Sequence, residues 1–146
     1  MFTFGKKQTT WDEVYKMLID DIKEDEGYRG FQYDDHLGNP TIGYGTLLPI
    51  TEEEAELLLK HRLKKFVKGI MQGKPEVERL PLAARLIILN MAYQMGVGGV
   101  LKFKNMWKAL ENGDYKTASA EMLDSTWATQ TPNRANRLAY MMENLA

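Results

Sequence analysis

Thr41-Ile42-Gly43-Tyr44-Gly45, read with Asp25-Glu26-Gly27 upstream, decides what fold this chain can take. Ahead of the glycine, Thr10-Trp11-Asp12-Glu13 has the form of a capping box, in which the threonine hydroxyl takes the amide three residues on and the glutamate reaches back. Trp11, Tyr15, Leu18 and Ile22 then recur at helical spacing, which predicts one buried stripe running toward Asp25 and Glu26. Gly27 supplies the backbone freedom that ends the helix. Phe31-Gln32-Tyr33 alternates as a strand, Asp34 to Asn39 supplies turn chemistry, and Thr41 to Gly45 alternates again. The expected product is a two-stranded hairpin. Thr41, Gly43 and Gly45 would share one face of it, a face stripped of side chains where something approaches the backbone closely.

Downstream the pattern changes from period two to helical. Thr51-Glu52-Glu53-Glu54 is a second capping box, with acids early and bases late to suit the helix dipole. Leu59, Leu63, Phe66 and Ile70 mark the buried side of a helix to Gly73. Leu82 to Met95 is apolar on nearly every side and reads as the central helix of a helical lobe, broken by an interhelical turn at Gly96-Val97-Gly98-Gly99. Further helices are predicted over 104–111, 115–124 and 132–144, the last capped by Thr131 with Pro132 at its first position. The expected class is α+β: a small N-terminal β-hairpin lobe (27–50), a long connecting helix (51–73) and a mostly helical lobe (76–146), all in one domain.

The bulk properties narrow the function. At 146 residues, with 44% hydrophobic and 27% charged residues, the chain can bury a real core and is not disordered by composition. The absence of cysteine excludes a disulfide framework, a thiolate nucleophile and a cysteine metal site. No apolar run approaches the length of a membrane span, and the start lacks the apolar core of a signal peptide, so synthesis and folding in a cytosol are expected. A net charge of −1 argues against a nucleic-acid partner. Residues 57–75 nevertheless carry six Lys and Arg and no acid, while 10–26 carry seven acids against two lysines. A solvated helix face is the simpler account of that basic run, contact with an anionic wall polymer the sharper one.

Two carboxylates in unlike settings beside a hydroxyl are what hydrolysis of a sugar chain requires. Glu26, continuing an apolar stripe, would be desolvated and suited to donating a proton. Asp35, in a polar turn, would stay ionised, and Thr41 could fix a water beside it. Each of these is also readable as solvated surface. Asp34-Asp35-His36 lacks a second cluster at ligand spacing, so no metal and no cofactor is expected. His36 and His61 read as surface residues, and Trp127 as core rather than a sugar platform.

With these residues in hand, the chain resembles the phage-type lysozymes of the T-even kind, glycoside hydrolase family 24, from near Met17 to the C-terminus. The resemblance rests on Asp25-Glu26-Gly27, Tyr33 with Asp35, Thr41-Ile42-Gly43-Tyr44-Gly45, Asn90-Met91-Ala92-Tyr93-Gln94-Met95-Gly96, and Trp127 followed by Gln130-Thr131-Pro132-Asn133-Arg134-Ala135. It implies a lysozyme-like fold and an endolysin muramidase that hydrolyses the β-1,4 bond between N-acetylmuramic acid and N-acetylglucosamine with inversion. Glu26 would be the general acid, with Asp35 and Thr41 holding the attacking water. Leu47 and Tyr93 would line the substrate cleft, Met106 and Glu121 would occupy further cleft positions, and Gln94 with Arg134 would shape or brace it. The implied partner is the peptidoglycan glycan strand, met by a monomer that depends on a phage holin to pass the membrane. Thr46 stands where the family often has histidine, the segment after Leu48 is short, and residues 1–16 precede the match. Three other readings compete: a non-catalytic peptidoglycan-binding module, a lysozyme domain of a phage tail assembly, and a lytic enzyme yielding anhydro sugars.

Overall fold

A computed structural model describes residues 8–145. It is mostly helical with one small antiparallel sheet, the expected lysozyme-like α+β class. Two compact units divide between Ala55 and Glu56. Much of the N-terminal extension, residues 1–7, lies outside the described residues.

In the first unit, α1 (Trp11–Glu26) opens on the predicted capping box. The Glu13 amide donates to Thr10 Oγ1 at 3.3 Å, and the Thr10 amide donates to Glu13 Oε2 at 2.9 Å. The helix ends at Gly27, whose φ of 68° admits glycine readily. The predicted buried stripe is not buried. Trp11 is 75% exposed, Tyr15, Leu18 and Ile22 are exposed as well, and no residue of α1 is buried. Periodicity gives the helix correctly but not a partner for its face: besides α1, the described part of this unit holds three short strands and the start of the next helix, and no strand packs along α1.

The sheet is three-stranded rather than a hairpin, in the order β1 (Arg29–Asp34), β2 (Pro40–Gly43), β3 (Thr46–Leu47). The alternation expected through Gly45 stops at Gly43. Gly43 and Gly45 both take positive φ, 71° and 72°, so the chain turns at Tyr44-Gly45 and returns as β3. The register pairs Tyr33 with Thr41 and Thr41 with Leu47, placing these three in one row across the sheet. A bulge between Arg29 and Tyr33 interrupts the alternation of β1.

The helix α2 (Glu52–Gly73) begins in the first unit and continues in the second. At ~1.5 Å per residue it is about 33 Å long. Thr51 and Glu54 form its reciprocal cap, with both bonds at 3.1 Å. Its apolar side sinks gradually: Leu59 is exposed, Leu63 and Phe66 are half-buried, and Ile70 is fully buried.

The second unit is helical. A 3-10 turn (Pro75–Arg79) leads to α3 (Leu82–Met95), then α4 (Val97–Leu101), α5 (Lys104–Glu111), α6 (Tyr115–Leu123), α7 (Thr126–Gln130) and α8 (Pro132–Glu143). α3 is central, burying Ala84, Ile87, Ile88, Met91 and Ala92 against Ile70, Val100, Trp107, Met122, Leu138 and Met142. The four-residue glycine break holds more structure than expected. Only Gly96 is the turn, at φ 83°, and the following residues wind into α4. Thr131 caps α8 by position only, since its hydroxyl donates back to the Trp127 carbonyl at 3.0 Å. The buried Ser119 hydroxyl donates to the Ala139 carbonyl at 2.7 Å and ties α6 to α8.

Candidate active site

A pocket of about 390 Å³ in the first unit is lined by Glu26, Arg29, Tyr33, Asp34, Asp35, His36, Thr41, Gly45 and Leu47. The three expected catalytic residues therefore share one cavity, with Leu47 beside them. Secondary structure explains the grouping. Glu26 arrives at the last position of α1, Asp35 just past the end of β1, and Thr41 and Leu47 from the row that crosses the sheet.

Asp35 has two tasks. Its Oδ1 accepts the Leu37 amide at 2.9 Å and the Asn39 amide at 2.8 Å, which closes the turn between β1 and β2. Its Oδ2 takes only a long 3.4 Å contact from the Asn39 side chain and so retains acceptor capacity. The Asn39 backbone bond, chiefly, holds the Asp35 carboxyl below the ordinary aspartate range. Desolvation opposes it, while the Leu37 amide, the Asn39 side chain and the charge of His36 reinforce it. A depressed folded pKa means that the stabilisation by ionised Asp35 is complete above its unfolded pKa of about 3.9. It is lost as pH falls through the lower folded value. A carboxyl-carbon NMR titration is expected to show Asp35 ionising below the usual aspartate range; a midpoint at or above that range would contradict the turn geometry.

Thr41 is 2% exposed, and its hydroxyl donates to the Asn39 carbonyl at 2.9 Å. With its proton committed, the hydroxyl oxygen faces a pocket ligand as an acceptor. Asn39 thus organises both residues: its amides hold Asp35 and its carbonyl orients Thr41.

Glu26 is exposed, so the expected desolvation along a buried stripe is absent. Its carboxylate lies close against the Gly45 backbone. A Cβ placed on Gly45 would stand 2.6 Å from Glu26 Oε2. Arg29 was not singled out by the sequence, yet its guanidinium lies 4.4 Å from the Tyr33 ring centroid on the pocket wall. No sequence signal marks it, because its place depends on the irregular pairing that sets Arg29 opposite Gly43, two residues from Thr41.

The remaining expected substrate residues belong to the second unit. Tyr93 and Arg134 border an apolar groove of about 390 Å³ with Leu59, Leu63, Phe66, Val67, Leu86, Leu89 and Asn90. Arg134 donates through Nε and Nη2 to Asn90 Oδ1, at 2.8 and 2.6 Å. Gln94 accepts the indole N–H of Trp127 at 2.8 Å. Asn90 and Gln94 lie one turn apart on α3, and these bonds tie that helix to α8 and α7. Asn90 is the partner that residue-by-residue reading overlooked, although its spacing from Gln94 was visible. Trp127, at 6% exposure and edge-on to Phe103, is core as expected. Gln94→Leu leaves that indole donor unpaired and is expected to cost about 1 kcal/mol, measured as a lowered denaturant midpoint.

Met106 and Glu121 meet at a separate pocket of about 260 Å³. Met106, expected at a cleft position, borders this pocket while its side chain is wholly buried in the core. Glu121 is half-exposed there.

Comparison with known proteins bears on the family. The phage lysozyme family model matches residues 23–139. "Probable T4-type lysozyme 1" of Dictyostelium discoideum is 32% identical over 158 aligned residues, covering 86% of this chain and 93% of that protein. The "Pre-baseplate central spike protein Gp5" of Enterobacteria phage T4 is 30% identical over 91% of this chain, which spans 28% of its length. The "Peptidoglycan hydrolase gp36" of Pseudomonas phage phiKMV is 28% identical over 79% of this chain and 14% of its own length. With four-fifths of its length under the family model and its acid, aspartate and threonine gathered in one pocket, the chain belongs to the phage lysozyme family.

Proposed function

We propose that the chain is a muramidase, cleaving the β-1,4 bond between N-acetylmuramic acid and N-acetylglucosamine in peptidoglycan by inversion. The observation that carries this reading is the shared pocket of Glu26, Asp35 and Thr41. Protonated Glu26 gives its proton to the glycosidic oxygen as the bond to the anomeric carbon breaks. A water on the opposite ring face donates one hydrogen to Asp35 Oδ2 and the other to Thr41 Oγ1, leaving a lone pair directed at that carbon. Asp35 takes the proton that water loses, and solvent exchange restores both carboxyl groups. Asp35 suits this task because its turn keeps it ionised, and Thr41 because its own proton is already engaged.

NMR of freshly cleaved soluble glycan tests the stereochemistry. The α-anomer at the new reducing end is expected first, and initial appearance of the β-anomer would refute inversion. No described helix is long and apolar enough to cross a membrane. We propose that the chain works as a monomeric endolysin that reaches the wall after a holin opens the membrane. The likeness to a phage spike protein supports a second reading, a lysozyme domain of a tail assembly, with the same chemistry. Sedimentation of the chain with candidate tail proteins separates the two.

A further inference from the structure

We infer that Gly45 is the positioning residue of the general acid: its missing side chain makes the space in which the Glu26 carboxylate is held. The inference rests on the assignment of Glu26 as acid and adds the device that aims it. Two glycines flank Tyr44 with nearly the same backbone, Gly43 at φ 71° and Gly45 at φ 72°. Their surroundings differ completely. A Cβ on Gly43 would meet nothing within 4 Å. A Cβ on Gly45 would lie 2.6 Å from Glu26 Oε2, 2.7 Å from Cδ and 3.1 Å from Cγ, so it would fall within the carboxyl group's own space.

The physical consequence is specific. Glu26 is exposed and sits at the end of its helix, so neither burial nor a side-chain hydrogen bond fixes its rotamer. The carboxyl group lies against the Gly45 backbone, in the position that a side chain there would take. A methyl at position 45 does not need to break the fold, because the atoms it meets are the free end of a flexible side chain. Glu26 would rotate away instead, and the acid would remain in the molecule but off the leaving oxygen. Misplacement of a catalytic group by about 1 Å costs about 10²-fold in rate.

Gly43→Ala and Gly45→Ala carry the same backbone penalty for a side chain at positive φ, so their difference isolates the contact with Glu26. On soluble uncross-linked glycan strands, Gly45→Ala is expected to lower kcat about 10²-fold with KM little changed, while Gly43→Ala keeps kcat near wild type. Equal kcat in the two variants, with Glu26→Gln inactive, would overturn the positioning role and leave Glu26 as the acid. An active Glu26→Gln would overturn the acid assignment itself. Should Gly45→Ala fold poorly, its melting temperature is compared with that of the Glu26→Ala/Gly45→Ala double variant, in which the obstructed carboxyl is gone. Recovery to the level of Gly43→Ala supports the contact with Glu26; a double variant as damaged as the single one rejects it.

Discussion

Glu26→Gln is expected to abolish nearly all turnover, about 10²–10⁴-fold, while the protein melts close to wild type. Glutamine keeps the size and planar shape of the side chain but has no proton to give. Asp35 is bound into its turn and held ionised, which leaves Asp34 and His36 as the other groups of the pocket that could supply a proton. Among the described residues the side chain makes no hydrogen bond or ion pair that folding would lose, and Glu26 is exposed. Substantial residual activity would mean that another group protonates the leaving oxygen. Unfolding would mean that the carboxylate is structural.

Asp35→Asn is expected to have the next largest effect, again about 10²-fold or more, with a different signature. The asparagine oxygen can still accept the Leu37 and Asn39 amides, so the turn between β1 and β2 survives. The carboxylate that takes the proton of the attacking water does not. Asp35→Ala loses both, leaving the turn to its backbone bonds alone, the residue-35 amide to the Asn39 carbonyl at 2.9 Å and the Gly38 amide to the residue-35 carbonyl at 3.0 Å. The comparison therefore reads the catalytic charge separately from the scaffold. Asp35→Asn should keep the wild-type amide NMR pattern over 35–41 and Asp35→Ala should not. If Asp35→Asn retained full turnover, the residue would be a turn former alone and the water would need another base.

Much of this was legible in the sequence because the cues are local. Capping boxes at Thr10 and Thr51 announced both long helices, and Leu82–Met95 announced itself by being apolar all round. The helix end at Gly27, the turn after Asp34 and the threonine of β2 were enough to name the three catalytic candidates. What failed was long-range or depended on backbone conformation. The Trp11–Ile22 stripe gave a helix correctly but could not say whether anything covers it. Gly43 and Gly45 looked like strand residues, since alternation cannot reveal that two positive φ angles make the turn that creates β3. Thr131 occupied a cap position while its hydroxyl was engaged elsewhere. Met106 was placed in a cleft by resemblance and in the core by packing. Asn39, which organises both Asp35 and Thr41, was read only as a turn residue because its service is through the backbone.

Hydrolysis of the muramic acid linkage in this pocket leaves a chemical record in the products. Its most direct test is digestion of purified peptidoglycan with the isolated protein, followed by mass identification of the new chain ends. Reducing N-acetylmuramic acid ends, one water heavier than anhydro products, are the predicted result. Anhydro-muramic acid ends would show that water is not the nucleophile, and binding with no new ends from a folded protein would show that the site recognises the wall without cutting it.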